Sequence, residues 1–493
     1  MNRLIKSIPI IFTILLLFSA CDLFQGMDVQ NDNSPNLDQV FADSQEYPSL
    51  LSGAYNTWWN EGMGPNPNFA LSAMAEIITS GYGSWGMGDY YKIPRQPVIN
   101  ENADDIVLNP VYGVWYSYYS GLTTVNNIIR QISQNGEKVI IGDTDYTQEV
   151  LAHAYFLQGL FIGHLGLVYD KAFLITEDTD INTFDYEFTP YKELIDFALN
   201  RMDKAIEICN TNTFSDPNEM MPNVKFDNTS LARFINSNAA RILAESARNE
   251  SETASLDWNR VLEYAKNGIQ EDFSVYGKNG WTGLAISRDP YNLINLSAWD
   301  WVRVNQRLLH MMCPDDPGAT YPWPDGKKTL PEIQNCPDLR LQTDMEYAGA
   351  HPNWNPQSRG YQILSNYKYS RFYDTFGKNG IGNLYFYLEA ENDLYEAEAI
   401  VRTTGPSGYA ADLINKTRVD RGGLQALTGT ESKQELLNAV FYERYIELGW
   451  TYPLLGWYDR RRNNDLMEGS AKQLPVPAKE LGLHNYEIYT FGG

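Results

Sequence analysis

The sequence predicts a mostly α-helical fold, in which helical pairs form a scaffold and an irregular, loop-rich insertion supplies a ligand-binding face. Three observations lead there. Apolar residues recur at three- and four-residue steps over most of 37–276. Between 276 and 382 that rhythm breaks, and Pro, Gly, Asn, Trp and Tyr crowd together. From 383 onward the rhythm returns, with helix-capping residues in the expected places.

The chain opens with Arg3 and Lys6, an apolar stretch over 8–18, and small Ser19 and Ala20 directly before Cys21. That is the pattern of a signal peptide over 1–20, too short in its apolar part for a permanent span. Phe18-Ser19-Ala20-Cys21 reads as a lipobox with Phe in its first position, so Cys21 is the expected lipidation site. Residues 21–37 are rich in Asp, Asn and Gln, as befits a flexible tether. A single domain is expected over 38–493, with no later segment crossing a membrane and the lipid as the sole membrane contact.

Helices are expected over 43–59, 111–132, 147–165, 189–209, 229–248 and 257–270, each with one apolar face. Thr189-Pro190 offers a side-chain oxygen before a first-turn proline, and Ser255 or Asp257 opens the next element in the same way. The loop-rich region, about 276–382, holds one helical stripe at 299–312. Helices follow over 383–402 and 410–421, the latter stopped by Gly422-Gly423. Ser432 and Glu435 then form a capping box before Leu436, Leu437, Val440, Phe441, Tyr445 and Leu448. The helices pair as in helical repeats, without a period strict enough to define a repeat.

The formal net charge of -24 excludes polyanions as general partners, so no nucleic-acid binding is expected. Loss of 1–20 removes Arg3 and Lys6 and no acid, which makes the remainder more acidic still. An excess of 33 Tyr and 12 Trp supplies many side chains that join a flat apolar face to a polar handle. Cys313 and Cys336 share the Pro-rich loop and are candidates for a disulfide worth roughly 3 kcal/mol, with Cys209 left as a buried thiol. Spacing alone does not show that their geometry fits.

Enzymatic and cofactor motifs fail on inspection. Gly81-Tyr82-Gly83-Ser84-Trp85-Gly86 matches the letters of a dinucleotide fingerprint, but two prolines and adjacent tyrosines follow where a helix should start. The glycines serve better as a surface loop exposing Tyr82, Trp85 and Tyr90. Asp178, Asp180 and Asn182 begin like a calcium loop, yet Thr183 and Thr189 stand in place of its glycine and glutamate. His153 and His164 could share a helix face among apolar neighbours, which favours a structural role over a metal site. No metal, cofactor or catalytic residue is expected.

Near the C-terminus, Leu413-Ile414-Asn415-Lys416-Thr417-Arg418-Val419 with Gly422-Gly423-Leu424, Glu443-Arg444-Tyr445-Ile446-Glu447-Leu448, Trp457-Tyr458-Asp459 and Leu474-Pro475-Val476-Pro477 with Glu480 form a set. These stretches resemble the SusD/RagB family of surface lipoproteins in Bacteroidetes. Residues 75–78, 115–126 and 153–169 look like the family's earlier helices. Residues 451–456 depart from it, replacing a charged Glu-Gly-His-Arg-like run. The resemblance implies four TPR-like helical pairs as a scaffold. It also implies an outer-membrane, outward-facing binding protein that delivers a nutrient, usually an oligosaccharide and in some relatives a peptide, to a SusC-like TonB-dependent transporter. Physically the motif charges Glu443, Arg444, Glu447 and Asp459 sit among apolar positions, where they persist only if paired. The alternatives are a surface enzyme, such as a glycoside hydrolase built from helical hairpins, and a purely structural scaffold.

For an oligosaccharide, flat aromatic platforms beside a few polar groups are needed. Tyr82, Trp85, Trp281, Trp323 and Trp354 are the candidate ligand-binding residues, because they fall in the glycine-rich loop or the irregular region.

Overall fold

The computed structural model describes residues 40–493, apart from 65, 81–84, 102–108, 182, 216–218, 278–301, 325–326, 328, 350–364, 375–381 and 453. The expected signal peptide, Cys21 and tether lie outside the described residues. The chain divides into a short N-terminal unit and the unit Gln45–Gly493, which is the one considered below.

Apolar spacing sets the helices. In chain order they are α1 (Tyr47–Met63), α2 (Asn68–Met74), α3 (Met87–Tyr90), α4 (Trp115–Ser133), α5 (Thr147–Val168), α6 (Tyr191–Thr211), α7 (Asn228–Glu245), α8 (Glu250–Ser255) and α9 (Trp258–Lys266). After the irregular region come α10 (Gln306–Met312), α11 (Arg340–Asp344), α12 (Glu389–Thr403), α13 (Gly408–Arg418), α14 (Lys433–Glu447), α15 (Leu455–Arg462) and α16 (Ala478–Leu483). Neighbours in sequence become neighbours in space: α1 packs on α4, α4 on α5, α5 on α6, α6 on α7, α7 on α9, α9 on α12, and α12 on α13 and α14. The fold is thus mostly helical, with helical pairs as scaffold, and ten short strands pair two by two: β1 (Ile78–Thr79) with β7 (Arg303–Val304), β2 (Ile140–Ile141) with β3 (Thr144–Asp145), β4 (Lys171–Ala172) with β5 (Thr189–Pro190), β6 (Phe273–Gly277) with β10 (Gly382–Tyr387), and β8 (Met345–Tyr347) with β9 (Tyr367–Tyr369), among the described residues.

Capping residues fix several starts. Asp227 accepts from the Ser230 amide at 2.7 Å, Asp257 from Arg260 at 3.1 Å, and Ser432 exchanges bonds with Glu435 in a full capping box. Asp257 rather than Ser255 is the cap, since Ser255 ends α8. Thr189-Pro190 is not a cap: the pair is strand β5, antiparallel to β4 (Lys171–Ala172), and α6 begins at Tyr191. At the end of α13, Gly423 has φ +63°, and a Cβ there would lie 2.6 Å from Leu339 Cδ1.

α5 is the centre of the scaffold. By length and composition it could cross a membrane, contrary to the sequence expectation, but 94% of its most apolar window is buried inside the unit. A helix apolar on all sides belongs in a core. Its glycines permit that: a Cβ on Gly159 would sit 2.9 Å from the Ala198 carbonyl, and one on Gly163 2.8 Å from Ile242 Cδ1. Its last carbonyls accept from two buried arginines without carboxylates, Arg248 (to Gly166, 2.6 Å) and Arg461 (to Leu167, 2.6 Å).

The motif charges are all paired. Arg444 meets Glu245 at 2.6 Å and Asp459 at 2.8 Å, Arg340 meets Glu443 at 2.6 Å, and Glu447 meets Arg371 and Arg421 at 2.7 Å each. They are structural, and removal of one partner would strand a buried charge. The helix expected over 383–402 is cut short at its start. Residues Gly382–Tyr387 form a strand, β10, on β6 (Phe273–Gly277), and the helix starts only at Glu389. The aromatic run Tyr385-Phe386-Tyr387 suits a strand, with Leu384 and Phe386 buried.

Candidate functional site

Two short antiparallel pairs bring the irregular segments to one place. β1 (Ile78–Thr79) pairs with β7 (Arg303–Val304), and β8 (Met345–Tyr347) with β9 (Tyr367–Tyr369). In an antiparallel pair the exit of one strand lies beside the entry of the other. Ser80 therefore neighbours Val302, and Gly349 neighbours Ser365. Arg303 joins the two pairs: its Nη1 donates to the carbonyls of Gly349 at 2.9 Å and Ser365 at 3.2 Å, and it is itself buried. The described residues Ser80, Val302, Gly349 and Ser365 thus come together around Arg303.

Trp85 packs beside α2. It has φ +50°, costly for a bulky residue, and Gly86 follows at φ +73°. A Cβ on Gly86 would lie 2.6 Å from Pro110 Cγ, so only glycine lets the turn close. The turn leaves the Trp85 ring part-exposed, edge-on to Phe69 at 5.6 Å between centroids. Beneath β1 is a polar floor. Glu76, itself at φ +55°, accepts from Arg460 Nη1 at 2.8 Å and from the Tyr321 hydroxyl, and Arg460 also meets Asp465 at 2.9 Å. Burial alone would raise the Glu76 carboxyl, but Arg460 and Tyr321 outweigh it and hold it below its ordinary value.

Of the candidate platforms, Trp85 fits the description. Trp323 does not: it is 5% exposed, and its indole N–H donates to the Lys327 carbonyl at 2.8 Å, so it anchors a loop. Tyr90 is likewise buried, on the single turn α3, where the sequence suggested an exposed loop and no helix. Tyr82, Trp281 and Trp354 lie outside the described residues. Cys313 and Cys336 are joined by a disulfide with Cα atoms 4.6 Å apart, and Cys209 is a buried thiol that burial pushes up to about 12. Sequence reasoning missed Arg303 and Glu76. The available signal was an arginine set between Val302 and Val304, which a helical reading of 299–312 hid.

Among the described residues no group of three or more His, Cys, Asp or Glu is placed to hold a metal. A groove of about 900 Å³ between α6, α7 and α9 is lined by polar side chains such as Asp203, Arg233, Arg260 and Tyr264, several of them already bonded to one another. It lies on the scaffold, and neither Trp85 nor Trp323 lines it.

A scaffold of packed helical pairs with short strand pairs defines a class of fold, the SusD-like fold. Comparison with solved structures places the chain there. A SusD superfamily protein from Parabacteroides distasonis aligns with TM-score 0.62 at 14% identity, over 90% of this chain and 98% of that one. A SusD homolog from Bacteroides thetaiotaomicron gives 0.61 at 14%, over 92% and 97%. A SusD-like carbohydrate-binding protein from Bacteroides vulgatus gives 0.51 at 15%, over 84% and 82%. No protein-family model and no curated protein sequence matches the chain.

Proposed function

We propose that this chain is a SusD/RagB-type binding lipoprotein of the outer membrane, anchored outward through Cys21, which captures an oligosaccharide and passes it unchanged to a SusC-like TonB-dependent transporter. The observation that supports the reading is the meeting of two strand pairs at Arg303, which holds the described residues Gly349 and Ser365 beside β1 and β7, together with the part-exposed ring of Trp85. Aromatic side chains drawn from distant parts of the chain to one end of a rigid scaffold are what a sugar face requires. The shared fold, and the carbohydrate-binding description of one structural neighbour, support a glycan over a peptide.

The test is titration calorimetry of the full chain in mild detergent against neutral oligosaccharides, with the sugar recovered and sized afterwards. Binding with the sugar intact is expected, and Trp85→Ala should weaken it at least tenfold while the melting temperature stays nearly unchanged. Cleaved product would favour the surface-enzyme alternative. Affinity for peptides alone would reassign the ligand.

A further inference from the structure

A second aromatic surface lies outside the Arg303 junction. β4 and β5 pair at their ends, so residues 173–188 form an excursion closed at its base, the form of a compact surface loop that packs on its own side chains. Its first half is pinned to α4 and α5. The Tyr119 hydroxyl and Asn126 hold the backbone at Phe173 and Ile175, and Arg130 holds Glu177 and Thr179. Its second half reads Phe184-Asp185-Tyr186-Glu187-Phe188, with the aromatics half-buried and the acids exposed in strict alternation. The rings gather on buried Phe173: Phe188 stacks on it at 4.4 Å, Tyr186 meets it edge-on at 5.6 Å, and His484 edge-on at 5.5 Å.

The C-terminal segment completes the surface. His484 stacks on Tyr186 at 4.5 Å with an interplanar angle of 21°, and Tyr486 packs on Phe188 at 5.1 Å. Tyr486 is 41% exposed, and Tyr186 has φ +50°, a backbone state that an aromatic residue keeps only when its surroundings impose it. Each of these rings is packed against another ring and keeps part of its surface exposed. Rings held in place lose little freedom on binding, which is the condition for a preformed platform.

We propose that the ridge formed by Tyr186, His484 and Tyr486 is a second contact for a neutral glycan chain. The flat faces suit the C–H faces of sugar rings. Asp185 and Glu187 beside them accept hydroxyl protons and repel acidic glycans. The inference rests on the reading of the chain as a glycan binder and adds a remote subsite to it. Two contacts on one polymer act in concert, so the ridge should matter for long chains and little for short ones.

The experiment uses the full chain and its Tyr186→Ala/His484→Ala variant in affinity electrophoresis through gels of amylopectin, mixed-linkage β-glucan, galactomannan or xylan. The hexasaccharide of the retained polymer is then titrated by calorimetry. Expected is a loss of polymer affinity of roughly tenfold or more, with hexasaccharide affinity within about twofold of the parent. Trp85→Ala should lose both, and Tyr186→Phe should behave as the parent. Should the double variant misfold, Tyr486→Ala replaces it, its side chain being the most open of the three. Unchanged polymer affinity would overturn the ridge and leave the loop-end site standing. Unchanged polymer affinity with loss of a co-purifying protein would reassign the ridge to a protein partner. If the parent chain is retained by no glycan, the glycan reading itself fails, and the ridge with it.

Discussion

His153 and His164 face the interior of the scaffold from α5, where the Tyr55 hydroxyl lies 2.7 Å from His153 Nδ1 and that of Tyr118 3.3 Å from His164 Nδ1. Burial lowers both imidazoles from 6.5 to about 3, so they are neutral and no pH sensor at ordinary pH. The unfolded chain binds these protons first. Stability from the pair is therefore complete above about pH 6.5 and is lost as pH falls toward 3. Glu398 adds a second, lower step: burial would raise it, but Arg462 and Arg402 bring it from 4.5 to about 2. Its contribution is present above about pH 4.5 and lost below. Urea midpoints between pH 7 and 4 should fall continuously, by up to about 1.4 kcal/mol per pH unit for each group titrating. The His153→Gln/His164→Gln variant should fall less steeply between about pH 6.5 and 4.5, and keep the Glu398 loss below. An unaltered slope in that variant would show that the histidines already carry protons in the folded state.

Helices close together only where side chains allow it. On α5, Gly159 faces a backbone carbonyl at α6 and cannot gain a methyl group without moving a helix, whereas a Cβ on Gly53 of α1 would meet nothing within 4 Å. Gly159→Ala should accordingly cost about 1–3 kcal/mol in chemical denaturation. Gly53→Ala should be neutral or stabilise by about 0.4–1 kcal/mol. Equal effects at the two sites would refute the close packing of α5 on α6. The irregular region depends on a covalent tie instead. Cys313→Ser with Cys336→Ser should lower stability by roughly 3 kcal/mol, while the helical scaffold, which the bridge does not enter, keeps its circular dichroism.

In the proposed function one chain joins three roles: an anchor, a scaffold and a ligand face. Cys21→Ser should release the folded protein from membranes and abolish palmitate labelling, because among the described residues the one helix apolar enough to span is the buried core of the scaffold. Persistent membrane association in that variant would reject the anchor. Purification of the unaltered chain in mild detergent should bring down a large β-barrel protein in about equal amounts, and recovery of the chain alone from cells grown on its nutrient would count against a transporter partner.

Helix positions were legible in the sequence because their causes are local. Apolar residues three or four apart and caps three residues apart, as at Ser432 and Glu435, act within one or two turns. The pairing of Glu443, Arg444, Glu447 and Asp459 was legible as a necessity, though not its partners. Tertiary structure alone decided what depends on distant contacts. Gly382–Tyr387 became a strand because Phe273–Gly277 lay beside it, Trp323 was buried by its own loop, and Thr189-Pro190 was taken up by Lys171–Ala172. Arg303 could gather the ends of three loops only after residues more than two hundred positions apart had paired. Local spacing fixes which residues share a helix face, but which loops meet at one end of the scaffold follows from the packing of helices that no short stretch of sequence encodes.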